Sequence, residues 1–191
     1  MIGTNKRTKI ISASQGGYAL IEMIIAVGLF AVTIVAAAGI FQSVIDGQRS
    51  AKAAQNIQES TRYALEVMSK EIRNAQKSDA THCESTVGDG NLYNTGGGNT
   101  ILYFRNKHDQ CVTYYLSGNR IFITRDAENL PITPAGVFIS QLKFIVRQDL
   151  PSQPPTIQPT VTMLISGYVE GKAMHKEEIK LQSTISSRFY Q

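Results

Sequence analysis

Residues 18–45 read YALIEMIIAVGLFAVTIVAAAGIFQSVI, and this stretch decides the fold. Its 28 residues contain one charged side chain, Glu22, and no further charge appears before Asp46. The 23 uncharged residues between them exceed the roughly 20 that a helix needs to cross a hydrocarbon core. The sequence therefore predicts a transmembrane segment at residues 18–45.

The short segment before this stretch is basic, with Lys6, Arg7 and Lys9. Basic flanks of membrane segments stay in the cytoplasm. We therefore expect a single-pass protein whose N-terminus is cytoplasmic and whose residues after 45 are extracytoplasmic.

Small residues lie on the unusual side of the apolar stretch. Gly16 and Gly17 precede it, whereas the small residues at a secretory cleavage site follow the apolar region. A cut at these glycines would remove the basic flank and leave the apolar helix as the new N-terminus. The processed protein would keep its membrane anchor.

Glu22 requires an explanation, because a carboxylate inside a membrane costs roughly 2.5–3.5 kcal/mol on insertion scales. With Tyr18 as the N-terminal residue, Glu22 lies one turn into the helix, where the helix dipole favours an anion. It is also within reach of an α-amine, its own or that of a neighbour. Helices in lipid gain little from apolar contact, so a buried charge pair with a neighbour would fix their register.

Gly17, Tyr18, the offset Glu22 and the apolar run together resemble the class III leader of type IV prepilins and type II secretion pseudopilins. The resemblance implies that residues 1–17 are a leader, that a prepilin peptidase cuts after Gly17 and methylates the amine of Tyr18, and that Glu22 directs filament assembly. Tyr18 departs from the Phe or Met that the family more often has there. The alternative is an uncleaved single-pass anchor with a chance glutamate.

The helical pattern continues beyond the membrane segment. Apolar and small residues recur every three or four positions, and charged residues of alternating sign occupy the opposite face. The stripe consists of Ala54, Ile57, Thr61, Ala64, Met68, Ile72 and Ala75, and the charged face of Glu59, Arg62, Glu66 and Lys70. We expect residues 18–78 to form the long N-terminal helix region, with one helix from Tyr18 to about Lys77. Its first half would lie in the membrane and its second half would pack on a globular head.

The remaining residues, 79–191, predict a β-rich head. Residues 79–99 are glycine-rich and indicate a loop, and prolines between residues 151 and 159 indicate a second. Alternating β-branched and aromatic residues predict strands at 100–104, 111–116, 120–125, 137–147, 161–169 and 178–189, with a bulge near Ser140 and a turn around Gly171. The fold class is α+β and pilin-like: a long N-terminal helix packed on an antiparallel β-sheet head.

This order of elements is similar to that of J-type pseudopilins and PilW-like minor pilins. Residues 63–75, YALEVMSKEIRNA, are similar to the end of their long helix. The resemblance implies a minor subunit of a pilus or secretion filament. It does not distinguish secretion, motility, adhesion and DNA uptake, which use the same helix and processing.

Cys83 and Cys111 are the two cysteines of the chain. An extracytoplasmic, oxidising location favours a disulfide between them. Free thiols are a second alternative, and a Cys2His2 zinc site with His82 and His108 is a third. The sequence leaves the three open.

The net charge bears on whether the protein binds nucleic acid. The chain has 19 basic and 15 acidic residues, but removal of the three basic leader residues leaves 16 against 15, a balance of +1. This small balance weakens a nucleic-acid function. The sequence also lacks a Gly-x-Ser-x-Gly or His-Glu-x-x-His motif, so we expect no enzyme, cofactor or metal.

The leading hypothesis is a structural subunit whose partners are a prepilin peptidase, other pilin or pseudopilin subunits, an inner-membrane assembly platform and membrane lipid before assembly. It would lie in the inner membrane and then in a periplasmic or extracellular filament. The alternative is a filament-tip binding module that captures DNA, a secreted substrate or a surface. Its basic residues would be Lys107, Arg120, Arg125, Lys143 and Arg147.

Overall fold

The computed structural model describes residues 19–152, 156–169 and 177–188. The chain divides into two compact units, Met1–Asp46 and Gly47–Gln191. Helices are α1 (Leu20–Arg73) and α2 (Glu84–Val87), and strands are β1 (Tyr93–Gly96), β2 (Ile101–Arg105), β3 (Cys111–Ser117), β4 (Arg120–Arg125), β5 (Glu128–Pro131), β6 (Val137–Arg147), β7 (Thr160–Val169) and β8 (Glu177–Ser186).

The second half of α1, residues 47–73, is amphipathic, as the period of its sequence predicts. Ile57, Thr61, Ala64, Met68 and Ile72 are buried on one face. On the solvent face, Lys70 and Glu66 form an ion pair of 2.7 Å. Such exposed pairs contribute roughly 0.3–0.5 kcal/mol, so the buried stripe is what fixes this half of the helix.

The helix ends at Arg73, four residues before the predicted end. The Asn74 side chain donates to the Lys70 carbonyl at 2.7 Å and so satisfies one of the last helical acceptors. The Gln76 N–H then donates to the Arg105 carbonyl at 2.9 Å, which pairs this segment with β2. A tertiary backbone bond thus replaces the next helical turn, while Ala75 still continues the buried stripe.

A five-stranded antiparallel meander, β1-β2-β3-β4-β5, forms the first sheet of the head. Gly97, Gly98 and Asn99 have φ of 58°, 69° and 72° in the four-residue β1–β2 loop, and Gly118 and Asn119 have φ of 53° and 67° in the two-residue β3–β4 turn. In the β3–β4 turn, two consecutive residues with positive φ give the twist that antiparallel hairpins prefer.

A three-stranded antiparallel sheet, β6-β7-β8, forms the second. The register between β6 and β7 shifts between Ile139 and Gln141, so the bulge predicted near Ser140 is confirmed. β7 and β8 pair over ten residues without interruption. The turn predicted around Gly171, which would join them, lies outside the described residues.

One hydrophobic core joins the second half of α1 to both sheets. Tyr93, Phe104, Tyr114, Phe144 and Met163 are among its largest fully buried side chains. The predicted α+β layout, a long N-terminal helix packed on antiparallel strands, is confirmed, although the strands form two sheets rather than one.

Two strands and one short helix were missed. The segment predicted as a loop at residues 79–99 contains α2 and β1, and β5 follows β4. All four residues of β5 are exposed, so no apolar alternation marked it. β8 begins at Glu177 and ends at Ser186, whereas the sequence predicted residues 178–189, of which 189 lies outside the described residues.

Candidate functional site

The first half of α1 is an apolar surface without cover from the described residues. Large apolar side chains from Leu20, 80% exposed, to Val44, 50% exposed, project from every side of the helix. Its best window has a mean hydropathy of 2.6, and none of that window is buried within the chain. Among the described residues this is the one helix long and apolar enough to cross a membrane.

Glu22 lies in the first turn of this helix and is exposed. Its backbone N–H donates to the Ala19 carbonyl at 2.9 Å, so the residue is already helical. The positive end of the helix dipole stabilises a carboxylate at this position. The predicted cleavage and methylation residues, Gly17 and Tyr18, lie outside the described residues.

The uncharged polar side chain of Thr33 is satisfied within the helix. Its hydroxyl lies 2.7 Å from the Leu29 carbonyl and 2.9 Å from the Phe30 carbonyl. Such bonds remove the cost of taking a hydroxyl into an apolar medium. Thr33 thus needs no partner from another molecule. The charged carboxylate of Glu22, in the same half of α1, does need one.

In the head, Glu71 ties α1 to the first sheet. Its carboxylate accepts a hydrogen bond from the Tyr114 hydroxyl at 2.7 Å and two from Arg125 at 2.6 and 3.2 Å. Burial, together with the neighbouring Glu71 charge, raises the pKa of Tyr114 above its usual range. The tyrosine therefore stays a neutral donor, and the cluster positions the helix rather than supplying reactive chemistry.

Cys83 and Cys111 are bonded as a disulfide, with Cα atoms 5.5 Å apart. Their sulfurs are thus neither free thiols nor available to zinc, and no group of three or more potential metal ligands occurs among residues 19–152, 156–169 and 177–188. The bond joins the segment before α2 to the first residue of β3. His82 contacts Asp79 at 3.1 Å instead.

An ion-pair cluster reinforces the same attachment. The Arg105 guanidinium contacts Asp79 at 2.5 Å and Asp109 at 2.6 Å and is only 12% exposed. It also donates to the Lys77 carbonyl at 3.1 Å. The loop after α1 is therefore fixed to β2 by charge and to β3 by a covalent bond.

The basic residues that the binding-module alternative needs do not act as one free face. Arg125 is paired with Glu71, and Arg120 donates to the Thr133 carbonyl at 2.9 and 2.7 Å. Lys143 and Arg147 are exposed on β6. Two of the five cations are thus committed to the fold itself.

These observations leave the exposed apolar helix and Glu22 as the candidate functional site. No protein-family model, curated protein or solved structure matches the chain. Function is therefore inferred from the chain's own residues.

Proposed function

We propose that the chain is a structural subunit, a minor pilin or pseudopilin, of a type IV pilus or type II secretion filament. It is processed by a prepilin peptidase after Gly17, methylated on the amine of Tyr18 and assembled through α1. In this proposal, lipid covers the apolar half of α1 before assembly, and neighbouring subunits cover it afterwards.

The observation that carries the proposal is the combination of an uncovered apolar half-helix with one carboxylate in its first turn. Apolar surface of this extent is buried in proteins unless another molecule covers it. The Leu20–Val44 side chains have no cover among the described residues, so a membrane or other helices must provide it. An anchor alone would need the apolar residues, but it would not need Glu22.

Glu22 acts in this proposal as the docking group. Removal of residues 1–17 would create an α-amine on Tyr18, and an incoming subunit would place its Glu22 against the amine of its neighbour. A charge pair among apolar helices sets their register, because apolar packing in lipid discriminates weakly between positions along a helix. In a wrong register the carboxylate would be desolvated without this partner, which makes that register unfavourable.

The partners follow from the same chemistry. A prepilin peptidase cuts and methylates the subunit, membrane lipid covers α1 before assembly, and an inner-membrane platform with other subunits receives it. The protein would then move from the inner membrane into a periplasmic or extracellular filament with its head outside.

The test is the mature N-terminal residue. The full chain is produced in membranes with and without a prepilin peptidase, and its N-terminal peptide is identified by mass spectrometry. We expect an N-methylated Tyr18 terminus only when the peptidase is present. Gly17→Leu should abolish the cut, because the bulky side chain occupies the position that the peptidase accepts as glycine.

Gly3→Leu is the matched control, since it makes the same change inside the leader but away from the cut, and it should be processed normally. A wild-type chain that stays uncut would support the simple anchor and refute the proposal. Normal processing of Gly17→Leu would move the cleavage site elsewhere.

A further inference from the structure

The second sheet turns one face to solvent. Along β7, alternate residues from Val161 to Ile165 are buried, and the residues between them are half-buried. Side chains of a strand alternate between the two faces of its sheet, so the buried residues belong to the core and the others to an outward face. This outward face is a surface that another molecule can reach.

The outward face is basic. Lys143 and Arg147 are exposed on β6, and Lys180 is exposed on β8. Each is paired in register with an outward residue of β7, so the three cations lie on the same side of the sheet. Glu178, the one acidic side chain that the structure describes on the outward side of these strands, contacts Lys180 at 3.6 Å. Lys143 and Arg147 therefore have no carboxylate partner among the described residues.

Two further cations extend this face towards the end of α1. After β8, Ser187 is buried and Arg188 is exposed, so the alternation continues and places Arg188 on the outward side. The Arg188 N–H donates to the Arg73 carbonyl at 2.8 Å, and both residues line one groove with Lys70. Lys70 is paired with Glu66, whereas Arg73 and Arg188 have no carboxylate partner among the described residues.

The small net charge of the chain hides this local excess, because several carboxylates of the head are bound elsewhere. Glu71 binds Arg125, and both Asp79 and Asp109 bind Arg105. Four cations without a carboxylate partner among the described residues are thus brought to one surface from three separate parts of the sequence: Arg73, Lys143, Arg147 and Arg188.

We infer that this surface, the basic face, binds the phosphate backbone of DNA. It consists of Arg73, Lys143, Arg147, Lys180 and Arg188. Each cation that neutralises a phosphate releases a counterion from the DNA, so several cations on one surface favour a polymer with closely spaced phosphates. Lys143 and Arg147 lie about 13 Å apart along β6, a length over which double-stranded DNA carries several phosphates.

The uncharged side chains of the basic face suit the same partner. Hydroxyl groups lie between the cations, and hydroxyls donate hydrogen bonds to phosphate oxygens. They belong to Thr160, Thr162, Thr184 and Ser186. Because these groups and the cations contact phosphates and not base edges, binding should not depend on the base sequence.

Fluorescence anisotropy of a short labelled DNA duplex, titrated with the full chain in micelles of an uncharged detergent, tests this surface. The affinity should fall steeply with salt and should be the same for a duplex of shuffled sequence. Lys143→Gln with Arg147→Gln should bind about tenfold more weakly at low salt. It should also lower the slope of log affinity against log salt by about two, one for each lost phosphate contact.

Lys52→Gln with Arg62→Gln is the matched control, because it removes the same two charges from exposed positions of α1 and should leave both the affinity and the slope unchanged. Arg188→Gln provides a second arm outside β6 and should lower the slope by about one. Near-ultraviolet circular dichroism checks that each variant keeps its fold.

Equal losses in the two double variants, no binding at low salt, or an unchanged slope in Lys143→Gln with Arg147→Gln would overturn the inference. Tighter binding of labelled polyglutamate than of DNA would assign the basic face to an acidic protein partner and would overturn it as well. All arms use the uncut precursor with the same leader cations, so the differences between variants are independent of processing at Gly17.

Discussion

The two halves of α1 are made of the same backbone but differ in where their apolar residues find cover. In the first half, side chains such as Ile34, 51% exposed, and Val35, 73% exposed, have no cover among the described residues. In the second half, Met68 and Ile72 are fully buried against the head. The difference teaches that one half is stabilised by packing within the chain, whereas the other needs cover from a membrane or another molecule.

This contrast also explains why charge is distributed as it is. The second half carries its charges on a solvent face, where Lys70 pairs with Glu66. The first half carries only Glu22, placed in the first turn. A charge that costs little in water is expensive in lipid. Under the proposed function, Glu22 is therefore the residue whose removal best separates anchoring from assembly.

Replacing that carboxylate is expected to have the largest effect. Glu22→Ala removes the charge and its desolvation cost, so the chain should insert into membranes at least as well as wild type and yet fail to enter filaments. Alkaline extraction of membranes measures insertion, and immunoblotting of sheared filaments measures assembly. Gln42→Ala, a polar-to-alanine change in the same exposed segment, is the control and should assemble; assembly of Glu22→Ala would remove Glu22 from the mechanism.

A truncation in the buried stripe should come next. Met68→Ala should lower the free energy of unfolding of the head by about 2–5 kcal/mol, because it removes a fully buried side chain and leaves a cavity. Ile34→Ala makes a comparable truncation in the first half and should leave that free energy unchanged. Urea unfolding in detergent, followed by near-ultraviolet circular dichroism of the tyrosines, measures both. Equal losses would contradict the difference between the two halves.

Breaking the disulfide should lower the free energy of unfolding of the head by a similar or slightly smaller amount than Met68→Ala does. Cys83 and Cys111 are 28 residues apart, and closing a loop of that size stabilises a fold by about 3.5 kcal/mol in the chain-entropy model. The double variant Cys83→Ser with Cys111→Ser should therefore unfold at lower urea. A reductant should lower the stability of the wild type and not that of the double variant; an unaffected wild type would show that the bond contributes nothing.

The smallest effect concerns acid stability. The Thr81 hydroxyl, assisted by His82 and Arg105, holds the pKa of Asp79 well below its usual range. A depressed pKa in the folded state stabilises the fold above the unfolded-state pKa, and this contribution is lost as the pH falls through the folded-state value. Asp79→Asn should therefore flatten the decline of stability below about pH 4.

Urea midpoints measured stepwise from neutral to acidic pH report that decline. Asp89→Asn, which removes the same charge from an exposed loop residue, is the control. An acid decline that is identical in wild type and Asp79→Asn would show that Asp79 does not contribute to it.

The sequence predicted best those elements whose pattern is local. β4 and β6 begin and end at the predicted residues, because alternating apolar residues mark both strands, and the one interruption, the bulge near Ser140 in β6, was itself predicted. The buried stripe of α1 was equally readable from its period of three and four residues. The long apolar segment needed no tertiary information at all.

The elements that were missed depend on distant partners. β1 is short and ends in glycine, and it becomes a strand by pairing with β2. The end of α1 at Arg73 depends on the bond between Gln76 and Arg105. The Glu71 cluster joins residues 43 and 54 positions apart, a separation that no spacing in the sequence reveals. Of the candidate site, residue identities were readable, but the uncovered surface around Glu22 required the structure.

The redox state of Cys83 and Cys111 also depends on the cellular compartment that the head has reached. Thiols oxidise outside the cytoplasm and stay reduced within it. A head left on the cytoplasmic side would keep two thiols and lose the covalent tie between the α2 segment and β3. Under the proposed topology, the redox state of these two cysteines in the cell would report the orientation of each molecule, and a wrongly oriented one would carry a weaker fold.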